Sequence, residues 1–416
     1  MKEISDYLIK YLKEIEPYSK KKYTPTKNMQ KIILHILHSL DEATGTYNKN
    51  NINATDITKA FDNTDFPKGE SFSYATPDIH DKIKSSQKYV MKYEFKLNKQ
   101  NVIIHLIYCL DKEKDKKLIK NISMEHIRKM FDYYIYKIYL WLFIANKQKP
   151  AICSENLHIY IYMTNLIKLI AANKGEMLNR KHSNSAFTTS CQKNIEIHLY
   201  REEDWFKTLI HETFHCFGFD FSGIENLKSH SQKQILQTFT VKTEVNLFEV
   251  YCELWAEFIN IIIYVFLKKG RGQFNFNKCW ELIFYEQQFS IYQCAKVLSH
   301  YNIKYDDLKY NTNNLSAKFN EGTNIFAYYI LKSMYIYYIN DFIDFTILHN
   351  KRTPFLFNNS IATIDAFLNI ILKHYGKNGE YDLLFEEKIT KMIYYIHKHK
   401  SNRIEKITMK MNLLDG

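Results

Sequence analysis

The spacing of apolar positions changes near the middle of the chain. Residues 3–15 and 27–40 repeat apolar side chains every three or four positions, as in a helix with one buried face. Residues 41–87 are polar, carry Asn-Lys-Asn-Asn and two prolines, and read as mostly loop. The pattern then alternates over 89–97 and 102–110, which predicts a β-hairpin joined at 98–101. Residues 124–146 predict a helix, and 157–164 and 195–200 predict two further strands. Between those strands lies a loop holding Asn184, Ser185, Phe187 and Thr188. Beyond Glu202 the helical period takes over, with helices expected at 204–217, 244–269, 278–298, 323–345, 361–375 and 381–397. The pattern therefore predicts an α+β protein in which a mixed α/β N-terminal half precedes a helical C-terminal half. Its expected parts are an N-terminal helical and loop region (1–86), a sheet-containing lobe (87–218) and a helical C-terminal lobe (219–416). No linker is long enough to separate these as independent bodies.

Composition supports that reading. Only 11 Gly and 6 Pro stand among 416 residues, against 32 Tyr and 28 Phe, which disfavours turn-rich sandwiches and flexible linkers. The preference for Lys, Asn, Ile and Tyr suggests an AT-rich coding sequence and carries no chemistry. The net charge of +12 raises the question of an acidic partner. The lysine-rich stretches at 20–22, 112–117 and 397–403 lie at ends and turns without interleaved aromatics, so a solvated surface is preferred to a nucleic-acid platform. Seven widely spaced cysteines with no CxxC pair read as reduced thiols. An N-terminus containing acids and no apolar run of roughly 18 residues argue against a secretory leader or a membrane span. The expectation is a cytoplasmic protein.

The candidate chemistry is Thr208-Leu-Ile-His211-Glu212-Thr-Phe-His215-Cys-Phe-Gly218. Histidines at i and i+4 share one helix face, so both imidazoles can reach one Zn²⁺, with the glutamate beside its open position. With 16 His and 45 acidic residues, a chain of this length shows that pattern by chance about 0.07 times. The context fits a helix: Glu202, Glu203 and Asp204 precede its positive end, and Gly218 follows where a left-handed cap would stop it. The strand at 195–200, just upstream, is expected to be an edge strand against which an extended substrate could pair.

Catalytic zinc takes three protein ligands and a water. Phe221 occupies the position where a longer HExxHxxGxxH motif needs its third histidine, which disfavours that arrangement. The predicted helix at 244–269 offers another source, a polar stripe of Asn246, Glu249, Glu253, Glu257 and Asn260 on an otherwise apolar helix. The ordinary reading of such a stripe is a solvated face, but apolar flanks on both sides narrow it and point to partial burial. His158, His182 and His198 lack ligand spacing, and Cys216 and Cys252 are expected to pack rather than to ligate.

Glu253-Leu-Trp-Ala256-Glu257 resembles the third-ligand helix of thermolysin-like and neprilysin-like peptidases, and with the HExxH helix it resembles the gluzincin branch of zinc metallopeptidases. The likeness rests on residues 195–257. The wider string from Asn184 to Glu257 also looks like uncharacterised metallopeptidases of large DNA viruses. The resemblance implies a zincin-like fold and one Zn²⁺ per chain, bound by His211, His215 and Glu253, with Glu249 the alternate third ligand. It makes Glu212 the general base, and places Glu257 and either Glu249 or Glu253 behind the ligands as orienting groups. Tyr328 and Tyr329 become candidates for stabilising the oxyanion, although a core tyrosine is the more ordinary reading of either. The implied substrate is a protein or peptide, met in the host cytoplasm or virion if the source is viral. The rival readings are an inactive zinc-binding protein of the same fold and a basic nucleic-acid-associated protein in which HETFH is accidental.

Overall fold

A computed structural model describes residues 2–19, 23–50, 52–61, 75–239, 241–269, 272–308, 318–350, 353–375, 383–398 and 403–414. The basic stretch at 20–22, part of that at 397–403 and much of the expected loop at 41–87 lie outside the described residues. The strands are β1 (Asn53–Asp56), β2 (Gln87–Leu97), β3 (Gln100–Leu110), β4 (Asn156–Met163), β5 (Ala186–Thr188) and β6 (Asn194–Leu199). The first helices are α1 (Lys2–Ile15), α2 (Lys27–Tyr47), α3 (Pro77–Ser85), α4 (Lys116–Asn121), α5 (Met124–Asn146), α6 (Arg180–Ser183) and α7 (Trp205–Cys216). They are followed by α8 (Glu225–Thr238), α9 (Leu247–Lys268), α10 (Phe276–His300) and a π-helix, Phe326–Leu331. The last are α11 (Lys332–Tyr337), α12 (Ile339–His349), α13 (Ile361–Tyr375), α14 (Leu383–Lys398) and α15 (Ile404–Ile407). The protein is α+β, with one small mixed sheet and many helices.

The chain forms two compact units. The sheet-bearing unit comprises 33–167 and 184–219, and the helical unit comprises 1–32, 168–183 and 220–415.

In the sheet-bearing unit the strand order is β1-β2-β3-β4-β6-β5. The expected hairpin forms along its whole length, from Gln87 opposite Leu110 to Leu97 opposite Gln100, and Asn98 takes the left-handed backbone of its tight turn. Strands β3, β4 and β6 are mutually parallel, and parallel neighbours need a long crossover, which α5 supplies between β3 and β4. Ser123 caps α5 by accepting from the His126 amide. One sheet face packs on α3 through Ile79, Ile83, Val90, Ile107 and Tyr162.

Three expectations are corrected in this unit. Among its described residues the polar segment at 41–87 is not mostly loop, because α2 continues to Tyr47 and β1 pairs antiparallel to β2. It also holds α3, where Pro77 occupies the first turn, which needs no amide donor, and Ile79 and Ile83 are buried. The strand at 195–200 is internal, because the three-residue β5 pairs with it and forms the edge. The cysteines are not all reduced: Cys153 and Cys191 form a disulfide, while Cys109, Cys216, Cys252, Cys279 and Cys294 are free and buried. Separation by 38 residues conceals the pair in sequence, but parallel pairing of Asn156 with Asn194 brings the two segments side by side.

In the helical unit α9 is a core helix. Its length and mean hydropathy would suit a membrane span, yet 89% of its apolar window is buried within the protein. The single helix expected at 323–345 is divided into the π-helix, α11 and α12, with a break at Tyr338, whose backbone leaves the helical region. Among the described residues no strand follows β6.

The Glu321 carboxylate accepts from the Phe326 amide at 2.7 Å, at the start of the π-helix. Burial raises its pKa to about 7, against the bonds it accepts from Thr243 and the backbone. The folded carboxyl then holds its proton where the unfolded chain, titrating near the ordinary 4.5, has released it. Stability should therefore fall as pH rises from about 4.5 to about 7 and level off above that range. Glu321→Gln should flatten that limb in urea titrations across the window, and an unchanged slope would remove Glu321 as its source.

Candidate metal centre

Helix α7 is fixed by its non-histidine faces. Trp141 on α5 donates through Nε1 to the Thr213 hydroxyl at 2.7 Å, and its ring stacks on Phe214 with centroids 5.9 Å apart. At the N-terminal end Lys137 lies over the rings of Trp205 and Phe206, at 5.3 and 4.2 Å. Asp204 is the N-cap residue with a left-handed backbone, and its carbonyl receives the Thr208 amide. No acid stands in the first turn, so the Glu202 to Asp204 carboxylates precede the helix rather than enter it.

These contacts leave His211 and His215 facing one point. Their Nε2 atoms are 3.1 Å apart and their rings are inclined by 78°. A tetrahedral ion with Zn–N bonds of about 2.0–2.1 Å holds two ligand nitrogens about 3.3–3.4 Å apart, so the pair spans one zinc with little adjustment. Both His211 and Glu212 are buried, at 5% and 8% exposure. Burial pushes the neighbouring Cys216 thiol up to about 12, so it stays protonated and packs.

At the end of α7, Gly218 has φ of 67° and its amide donates to the His215 carbonyl. A Cβ there would lie 3.1 Å from Cys153 Sγ and 3.2 Å from Cys191 Cβ. Gly218→Ala should therefore cost more than the ~1–2 kcal/mol of a left-handed non-glycine residue. Chemical denaturation measures this loss, and an unchanged midpoint would contradict the cap.

In the helical unit the polar stripe on α9 is not a solvated face. Glu249, Glu253, Glu257 and Asn260 are all buried, at 8% exposure or less. The stripe divides into two groups. The Glu249 carboxylate accepts from Asn324 Nδ2 at 3.2 Å through one oxygen and from the Tyr328 hydroxyl at 3.1 Å through the other. Asn246 in turn donates to Asn324 Oδ1 at 3.0 Å. One turn on, Glu253 lies 3.9 Å from Lys332 Nζ, and Glu257 pairs with that ammonium at 2.6 Å. Lys332 also donates to the Met411 carbonyl. Burial opposes the charge on Lys332, but Glu257, Glu253 and Glu286 outweigh it and raise its pKa.

The oxyanion candidates have other partners. Tyr328 donates to Glu249, and Tyr329 donates to the Met409 carbonyl at 2.7 Å. Glu257 is paired with an ammonium, that of Lys332. The histidines read as ordinary remain so. His182 Nδ1 accepts from the Asn179 amide, and His198 stacks between Tyr160 and Phe187 and meets Glu196 at 2.9 Å. His158 sits in β4 opposite Glu196. Cys252 donates to Asp220, as a packed thiol does.

Sequence reasoning missed Asn324 and Lys332. Each lies about 75 residues from its carboxylate partner, and a lone Asn or Lys in a helical stretch carries no spacing signal. The π-helix that runs directly into α11 and sets the position of Lys332 contains no Gly or Pro to announce it. No protein-family model, curated protein or solved structure matches the chain.

Proposed function

We propose that the protein is a zinc-dependent metallopeptidase of gluzincin type, with a zincin-like fold and a protein or peptide substrate. The observation that carries the reading is the convergence of the His211 and His215 Nε2 atoms, 3.1 Å apart on a buried helix with Glu212 between them. His211 and His215 supply two ligands. Glu249 is proposed as the third in preference to Glu253, because neutral donors orient its two oxygens as outer groups orient a ligand carboxylate, whereas Glu253 lies beside an ammonium. Asn324 and Tyr328 are then positioning residues, and Tyr328 is not free to serve as the oxyanion donor in the same geometry.

Zinc bound there would polarise the scissile carbonyl and lower the pKa of a water. Glu212 takes a proton from the attacking water and delivers it to the departing amine, so the amide is cleaved with no net proton change at the enzyme. Of the two edge strands of the sheet, β1 and β5, β5 is the one beside α7 and is proposed for backbone pairing with the substrate.

Zinc titration of three variants separates the ligands. Glu249→Ala should weaken zinc binding by orders of magnitude, Tyr328→Phe by about 10-fold to 100-fold, and a folded Glu253→Gln variant by much less. Wild-type affinity in Glu249→Ala, with loss in Glu253→Gln, would reverse the assignment.

A further inference from the structure

The disulfide is built into the end of the helix that carries the histidines. Cys153 and Cys191 meet with Cα atoms 4.9 Å apart, and they occupy the space that a Cβ on Gly218 would need. Ser154, next to Cys153, has a left-handed backbone with φ of 53°. Its hydroxyl donates to the Cys216 carbonyl at 2.8 Å, and its amide donates to the Gln192 carbonyl at 2.6 Å. One short segment thus joins the disulfide, the loop before β6 and the last turn of α7. That turn is otherwise held by the Phe217 amide on Thr213, the Gly218 amide on His215 and the Phe219 amide on Phe214. The five other cysteines are buried, whereas Cys191 is partly exposed and is followed by exposed Gln192, Lys193 and Asn194.

We propose that Cys153–Cys191 is a redox modification site whose state sets the order of the α7 C-terminus and, through it, the placement of His215. The effect on metal rests on the zinc reading above; the effect on the helix does not. The reaction is thiol–disulfide exchange with a dithiol reductant. A reductant thiolate attacks Cys191 Sγ, the S–S bond breaks, and Cys153 leaves as a thiolate that takes a proton. The second reductant thiol then attacks the mixed disulfide, releasing Cys191 as a thiol and the reductant as its own disulfide. Two electrons and two protons pass to the protein. The separated side chains no longer form a fixed surface for Gly218, and the Ser154 clamp on the Cys216 carbonyl loses its anchor at Cys191.

Hydrogen exchange of the full chain, oxidised and reduced with dithiothreitol, tests this. The amides of Phe217, Gly218 and Phe219 should exchange at least about tenfold faster after reduction, while those of β2 and β3 stay protected. Cys191→Ser should match the reduced protein and ignore the reductant. Zinc affinity, titrated with the metal alone, should fall about tenfold on reduction. Equal exchange in both states overturns the proposal. Loss of β2 and β3 protection as well also overturns it, because the bond would then hold the whole unit and not the helix end. If the wild type binds no zinc, the metal reading fails, and the exchange comparison still decides the redox site.

Discussion

Replacing Lys332 with Met is expected to destabilise the protein by about 3–5 kcal/mol at neutral pH, because breaking a buried ion pair leaves charge uncompensated. Lys332, Glu253 and Glu257 are exposed by 2% or less, and Lys332 Nζ is bonded to both Glu257 and the Met411 carbonyl. Removal of the ammonium strands two carboxylates among apolar walls and takes a donor from the chain near its C-terminal end. The remedy open to the variant is protonation. Its carboxyl pKa values should rise on folding, so its stability should recover as pH falls towards 5, in the sense opposite to the acid loss of an ordinary ion pair. Lys332→Met/Glu257→Gln should recover part of the loss at pH 7. Urea midpoints at pH 7 and pH 5 measure both effects, and a single variant as stable as wild type at pH 7 would show that the ion pair does not stabilise the fold.

The second large effect is on chemistry. Glu212→Gln preserves the shape and burial of the side chain while removing its capacity to take a proton. Peptide hydrolysis should fall by about 10²-fold to 10⁴-fold, the usual contribution of a positioned general base. The variant should bind zinc as the wild type does, since the proposed ligands are His211, His215 and Glu249. A degenerate fluorogenic peptide library provides the activity readout without knowledge of the substrate. Full activity in the variant would remove Glu212 from its role; loss of zinc and activity together would make it a ligand or a structural group instead.

What the sequence reveals here follows the distance over which each interaction acts. The β2–β3 hairpin, α5 and α7 are written in local periodicity and caps, and their structural limits differ from the expected ones by two residues or fewer. The three residues of β5 are too few for any period to register, so the edge of the sheet was assigned to β6. Helix α8 was missed because its mixed polar surface gives a weak amphipathic signal, with Leu227 and Ile235 among its few buried apolar residues. At the candidate centre, the i, i+4 histidines were visible because a helix places them together. The sorting of the glutamates was not visible, because it depends on Asn324, Tyr328 and Lys332, which lie far along the chain. The disulfide is hidden for the same reason, since strand pairing and not spacing brings Cys153 to Cys191.

The central claim is that the HExxH helix binds a zinc ion, and metal analysis of the purified full chain tests it most directly. Expressed with ample zinc, the wild type should carry about one zinc per chain and His211→Ala should carry almost none. A wild-type protein that is folded and free of zinc would contradict the account.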